Sequence, residues 1–199
     1  MARDASPTDA SPIGESDAMS NISALMERNR AFARSGAWRN TPRLPFVPFK
    51  DLYIITCVDP RVDPADFLGI ECGDAIVART LGGRVIDAVI RDLSYIAYLV
   101  EAKAPEGPYF EAAVIHHTDC GSRLLEDSEL RHGFAQRTGY DEQELAALPA
   151  TVPAETVRAD VAKILNAPQV STRIAVSGHV YDTASGLLET VAEPVRIGS

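Results

Sequence analysis

Short apolar runs alternate with longer stretches of helical periodicity through most of this chain, and that alternation predicts an α/β fold with a mostly parallel central sheet flanked by helices. Two further observations sharpen the expectation. An amphipathic stretch stands ahead of the alternating part and implies an amino-terminal helical arm; a Gly-containing turn near the other end implies a carboxyl-terminal edge strand. With 199 residues, 46% of them hydrophobic, the chain is long enough to bury one proper core.

In chain order, residues 1–20 place Asp4, Asp9, Glu15 and Asp17 among Ser, Pro and Ala. They lack the continuous apolar stretch of a secretory signal, so a disordered tail is expected there. From 21 onward Ile22, Leu25, Met26, Asn29 and Phe32 recur at helical spacing until Gly36 stops the pattern. Pro42, Pro45 and Pro48 then favour an extended crossing, which makes 21–50 a helix and arm ahead of the main domain. Strands are expected at 52–56, 75–79, 112–116 and 174–177, each a short apolar run of the kind a sheet buried on both faces requires. Between the second and third, Val85, Val89, Ile96 and Val100 mark the strongest helix, with Gly82-Gly83 before it. Strand, helix, strand implies a right-handed crossover and parallel pairing. A further helical stretch covers 155–165, and Val180-Tyr181-Asp182 followed by Ser185-Gly186 reads as a hairpin turn into the edge strand. The main domain is set at 51–192, and no internal repeat is found.

The formal net charge of −9 gives the chain no electrostatic footprint for nucleic acid or an anionic membrane surface. No uncharged apolar run approaches the ~18 residues of a membrane-crossing helix. Three cysteines, an odd number without an export signal, argue against a disulfide framework and for a reduced, cytoplasmic setting in which thiols are available to a metal.

The chemistry concentrates in two short segments. Cys57-Val58-Asp59-Pro60-Arg61 follows the first expected strand, and His117-Thr118-Asp119-Cys120-Gly121 follows the third. Carboxyl ends of parallel strands are where loops from distant parts of a chain converge, so the gap between Cys57 and His117 is no obstacle. Two thiols and an imidazole suit zinc, and three protein ligands leave a fourth tetrahedral position free. Asp59 and Arg61 stand beside the first thiol as a carboxylate and a guanidinium shaped to hold it by two parallel bonds. The remaining polar residues take structural readings. Asp63 and Asp66 cap and open a short helix starting at Pro64. Cys72 is expected as a small buried apolar residue, and His116, pointing to the opposite side of its strand from His117, either packs or supports a ligand from behind. Gly82-Gly83 with Arg79 and Arg84 fits close backbone packing as well as an anion loop.

These residues carry a resemblance. The chain resembles the beta-class carbonic anhydrases of compact bacterial type in Cys57-Val58-Asp59-Pro60-Arg61, in Gly73-Asp74-Ala75-Ile76-Val77-Ala78-Arg79 followed by Gly82-Gly83, in His117-Thr118-Asp119-Cys120-Gly121, and in Tyr181-Asp182 with Gly186-Leu187. The matches run in family order over about residues 50–192. The resemblance implies one zinc ion per chain held by Cys57, His117 and Cys120, with Asp59 and Arg61 as a catalytic dyad. In some members the aspartate closes the zinc shell when its arginine pairing breaks, so Asp59 is also a candidate fourth ligand. A homodimer or dimer of dimers, its leading helices wrapped over the partner, is implied as well. Two departures stand out: many members have Arg-Asn-Ala-Gly where this chain has Arg79-Thr80-Leu81-Gly82, and a glutamine often lining the pocket has no clear counterpart.

The activity implied is that of a lyase, the reversible hydration of carbon dioxide to bicarbonate and a proton by attack of zinc-bound hydroxide. In it Asp59 would orient the hydroxide and Arg61 would fix Asp59 and keep it ionised. Two alternatives stay open. The same zinc site would serve a hydrolase of carbonyl sulfide or carbon disulfide, a direction in which Leu81 points; or the chain is a non-catalytic zinc-stabilised binding domain with Asp59 permanently on the metal. No proton shuttle is named, and His132 is read as a surface histidine.

Overall fold

The computed structural model describes residues 21–44, 47–107 and 110–198; the tail expected at 1–20, and Pro45 of the expected crossing, lie outside them. The chain divides into two compact units between Thr41 and Pro42. In the first, helix α1 (Ser23–Ser35) ends at Gly36, whose φ of 73° is left-handed, and a short 3-10 turn follows at Ala37–Asn40. Glu27 pairs with Arg30 and Arg34 along the exposed surface of α1, while Leu25, Met26 and Phe32 on the predicted apolar face are also exposed.

The second unit is built on a five-stranded sheet, β1 (Leu52–Cys57), β2 (Ala75–Thr80), β3 (Phe110–His117), β4 (Ile174–Tyr181) and β5 (Leu188–Arg196), in the order β2-β1-β3-β4-β5. β1 to β4 run parallel and β5 pairs antiparallel with β4, as the sequence predicts. The hairpin turn is closed by Asp182 N–H donating to Leu187 O at 2.9 Å and Gly186 N–H to Asp182 O at 2.8 Å. Between the strands lie α2 (Pro64–Phe67), α3 (Asp87–Lys103), α4 (Ser128–Thr138), α5 (Glu142–Ala146) and α6 (Pro153–Leu165).

The core sits between the sheet and the helices α3 and α6. Tyr53, Ile55, Ala112, Val114, Ile174 and Val176 bury one face of the sheet against Val89, Leu93, Ala97 and Val100 of α3 and Val157, Val161 and Ile164 of α6. The helical spacing of those α3 and α6 positions puts them on a single stripe of each helix. Val85, taken with the helix in the sequence, lies before it: the backbone is extended at Arg84 and Ile86, and Val85 N–H donates to Asp160 Oδ2 of α6 at 3.1 Å. Asp63 caps α2 by accepting from Ala65 N–H at 3.0 Å, in keeping with its structural reading.

Candidate active site

In this strand order the chain leaves β1 toward β2 on one side, while β3 pairs along the other. The loops beyond β1 and β3 therefore open a crevice between them at the carboxyl edge, the switch point where open α/β sheets bind ligands. Cys57 is the last residue of β1 and His117 the last of β3. Three residues on, Cys120 is returned toward the sheet by Asp119, whose φ of 53° lies in the left-handed region that a short polar side chain tolerates.

The structure brings together the three residues picked out as metal ligands. Cys57, His117 and Cys120 are all buried, with candidate ligand atoms within 4.8 Å of one another and the two sulfurs 3.7 Å apart. His117 Nδ1–H donates to Thr118 O at 2.8 Å, which fixes the tautomer and leaves a lone pair on Nε2. That buried Nε2 has no hydrogen-bond partner among the described residues. A buried nitrogen lone pair is costly to leave unsatisfied. An orphaned imidazole nitrogen facing two sulfurs is a donor set that fits zinc, and the cluster could hold a metal ion. Thr118 is itself anchored: its Oγ1 donates to Asp182 Oδ1 at 3.1 Å and accepts from Thr183 N–H at 3.0 Å, tying the ligand loop to the β4–β5 turn.

Charge in the cluster is unevenly held. The hydrogen bond between the thiols pulls Cys120 down to about 3, with help from His117 and Ser122 and against burial. The same bond, together with burial, pushes Cys57 up, so the two thiols titrate as a linked pair. Burial acts to lower His117, but the neighbouring Cys120 sulfur, the Thr118 carbonyl and Asp59 outweigh it and raise the imidazole above its ordinary value. Donors surround both sulfurs: Asp59 N–H reaches Cys57 Sγ at 3.4 Å, and Ser122 Oγ lies 3.2 Å from Cys120 Sγ.

Asp59 has both carboxylate oxygens engaged by Arg61. Nε donates to Oδ1 at 3.0 Å, Nη2 to Oδ2 at 2.7 Å, and the Arg61 backbone N–H to Oδ1 at 2.9 Å. The Arg61 hydrogen bond is the chief cause that holds the Asp59 carboxyl at about 2, well below the usual carboxylate range. Arg61 is held in turn by the ligand loop of β3, through Nη1 to Asp119 Oδ2 at 3.0 Å and Nη2 to Asp119 O at 2.9 Å. The carboxylate and its clamp thus belong to the same assembly as the Cys57, His117 and Cys120 cluster.

Sequence reasoning missed three contributors. Arg79, at the end of β2, donates to Cys57 O at 2.9 Å and Asp59 O at 2.6 Å and pairs with Asp63 at 3.4 Å. It pins the loop between thiol and carboxylate. Asp119 and Ser122 are the others; each acts through a contact that only the folded loops create. Gly82-Gly83 resolves to close packing, since a Cβ on Gly83 would lie 3.0 Å from His116 Cδ2 and 3.1 Å from Ile115 O, and its φ is 71°. His116 is fully buried in a packing role, its Nε2–H directed at Gly83 O at 3.1 Å and Asp160 Oδ2 at 3.3 Å, with Nδ1 2.8 Å from Thr156 Oγ1. The expectation for Cys72 is corrected: it is exposed. It sits at the tip of a turn closed by Asp74 N–H to Glu71 O at 3.1 Å, which leaves no core for it to enter. His132 is an exposed residue paired with Glu142 at 3.0 Å.

No family model matches the chain. It is 33% identical over 150 residues to beta-carbonic anhydrase 1 of Mycobacterium tuberculosis, covering 74% of this chain and 86% of that protein. A carbon disulfide hydrolase of Saccharolobus solfataricus is 36% identical over 86 residues, 43% of this chain and 39% of the relative. Among solved structures, the carbonic anhydrase of Streptococcus mutans superimposes with a TM-score of 0.71 at 32% identity, over 87% of this chain and 98% of that one. A shared sheet, a Cys-His-Cys cluster at its switch point that could hold a metal ion, and similarity across most of a curated relative lead to one conclusion: the chain belongs to the beta-class carbonic anhydrase family of enzymes.

Proposed function

We propose that this chain catalyses the zinc-dependent, reversible hydration of carbon dioxide to bicarbonate and a proton. The observation that carries the reading is the fully clamped Asp59 carboxylate beside a cluster of three buried metal-binding side chains. Cys57, His117 and Cys120 would hold one zinc ion per chain. When bound, zinc supplies Lewis acidity that brings the pKa of a water it holds far down, to about 7.

The chain's own residues do the rest. Asp59, kept ionised by Arg61, accepts the hydrogen bond of the attacking oxygen nucleophile and so turns a lone pair toward the substrate carbon. Arg61 prevents the carboxylate from turning away, because two parallel bonds fix its plane. Asp119 and Arg79 hold Arg61 and the loop, so the geometry is set before substrate arrives. With both oxygens committed to Arg61, Asp59 acts as a member of the dyad in this arrangement; as a fourth metal ligand it would have to leave the guanidinium.

The test is stopped-flow proton release on carbon dioxide addition with wild type and Asp59→Asn, both loaded with zinc. The variant is expected to lose about a hundredfold or more in kcat/KM. Equal rates would contradict the dyad, and rates at the uncatalysed background in both would favour the inert zinc-stabilised domain.

A second reading keeps the site and changes the substrate to carbonyl sulfide or carbon disulfide. Leu81 favours it, as an exposed apolar side chain lining a cavity of about 340 Å³ shared with Ser122, Leu124, Leu125 and Phe134. Measuring sulfide release against bicarbonate formation on one preparation decides between the two, and no sulfide removes the second.

For the assembly we propose a homodimer or a dimer of dimers. Support comes from the second unit, where exposed Leu81, Ile86, Phe134 and Tyr140 line a wide groove of about 700 Å³. A cytoplasmic location is proposed on the free state of all three cysteines; among the described residues no helix is long and apolar enough to cross a membrane.

A further inference from the structure

We propose that Ser122 is a positioning residue for the metal centre, its hydroxyl donating to Cys120 Sγ and setting how strongly that sulfur binds a metal ion. The inference rests on the reading of Cys57, His117 and Cys120 as ligands and concerns a residue outside that set.

Ser122 is 2% exposed, so its hydroxyl has no water to turn to, and Oγ lies 3.2 Å from Cys120 Sγ. The oxygen already accepts a hydrogen bond from Ala150 N–H at 3.1 Å, on the segment between α5 and α6. A Cβ on Gly82 would stand 3.0 Å from this Oγ, so the hydroxyl occupies a tight slot between the Gly82 turn and the chain near Ala150. A ligating thiolate carries no proton. In the loaded centre the hydrogen between these two atoms must therefore come from the serine, with Ala150 fixing the oxygen's acceptor side.

Two effects follow. The bond holds Cys120 in one rotamer, which preorganises the ligand set. It also draws negative charge from the sulfur, so less is donated to the metal and the ion stays a stronger Lewis acid. The second effect distinguishes this role from plain packing, because it alters the electronic state of the sulfur.

The test uses the full-length protein loaded with cobalt(II), whose thiolate-to-metal charge-transfer band reports the electron richness of the sulfur, together with zinc affinity from competition against a chromophoric chelator. Ser122→Ala is expected to move the band to longer wavelength, because the sulfur becomes more electron-rich, and to weaken zinc binding about tenfold, because the loss of the fixed Cys120 rotamer outweighs the gain in sulfur donation. Ser122→Thr, which keeps the hydroxyl, is expected to stay with wild type on both readouts. Ser122→Gly removes the same hydroxyl and replaces the alanine variant if that one does not fold. A band unmoved by loss of the hydroxyl, or moved as far by threonine as by alanine, overturns the proposal. A wild-type protein that takes up neither cobalt nor zinc overturns the ligand reading instead, so the two failures are told apart.

Discussion

Arg61 connects the two halves of the site: it grips Asp59 on its own loop and Asp119 on the loop from β3. Lysine at that position would keep the charge and lose the planar fork. Arg61→Lys is therefore expected to retain bound zinc while hydration falls at least about tenfold, measured as kcat/KM alongside metal content; unchanged kcat/KM would contradict the clamp. Arg79 acts one step further out, through the carbonyls of Cys57 and Asp59. Arg79→Met is expected to weaken zinc binding about tenfold, read by chelator competition, because the loop presenting Cys57 loses its anchor. At this scale the candidate ligands Cys57, His117 and Cys120 are legible in the sequence because a metal selects donor atom types, and the proposed dyad because Asp59 and Arg61 stand beside the first of them within one short segment. Arg79, Asp119 and Ser122 are not. Their side chains are ordinary in type, and their partners lie on other segments or depend on the fold of the loop.

Elements differ in how openly the sequence declares them. β1 and β3 are largely apolar runs because they lie buried at the centre of the sheet, while β2 and β4 are apolar at their starts and only partly buried further on, and α3 and α6 carry apolar stripes toward the core. Helix α4 buries no residue at all, and α5 buries only Leu145. Neither has a stripe to detect; both are started instead by capping aspartates, Asp127 and Asp141, which accept from the first backbone N–H groups. A buried ion pair joins two of the core elements. Asp160 of α6 takes Arg84 Nε at 2.7 Å and Nη2 at 3.1 Å, and Val85 N–H at 3.1 Å, just before α3 begins. Burial acts to raise the Asp160 carboxyl, but the hydrogen bonds from His116 and Arg84 and the Arg84 charge prevail and hold it below its ordinary value. A carboxyl depressed on folding contributes stability above its unfolded pKa of about 4 and loses it as pH falls through the lower folded value. Denaturant unfolding should therefore give Asp160→Asn a penalty of about 3 kcal/mol at neutral pH that shrinks below about pH 4. A penalty independent of pH would contradict the charge assignment.

The whole molecule combines an amphipathic leading unit with an acidic α/β unit that carries the Cys57, His117 and Cys120 cluster. Alternating strands and helices declare the topology of the second unit because right-handed crossovers leave few ways to order parallel strands. The assembly is less legible, since apolar residues serving another subunit look like those serving the core. Leu25, Met26 and Phe32 of α1, and Leu81, Ile86 and Phe134 elsewhere, are exposed in the single chain. Sedimentation equilibrium is expected to give a mass of two or four 21.4 kDa chains, and a single-chain mass would contradict the proposed assembly. The central claim is that Cys57, His117 and Cys120 bind one metal ion together, and elemental analysis of the freshly purified, unchelated protein tests it most directly. One zinc per chain in wild type, with loss of most of it in Cys120→Ser, is the predicted result; wild type without bound metal, or with zinc undiminished by that substitution, would contradict it.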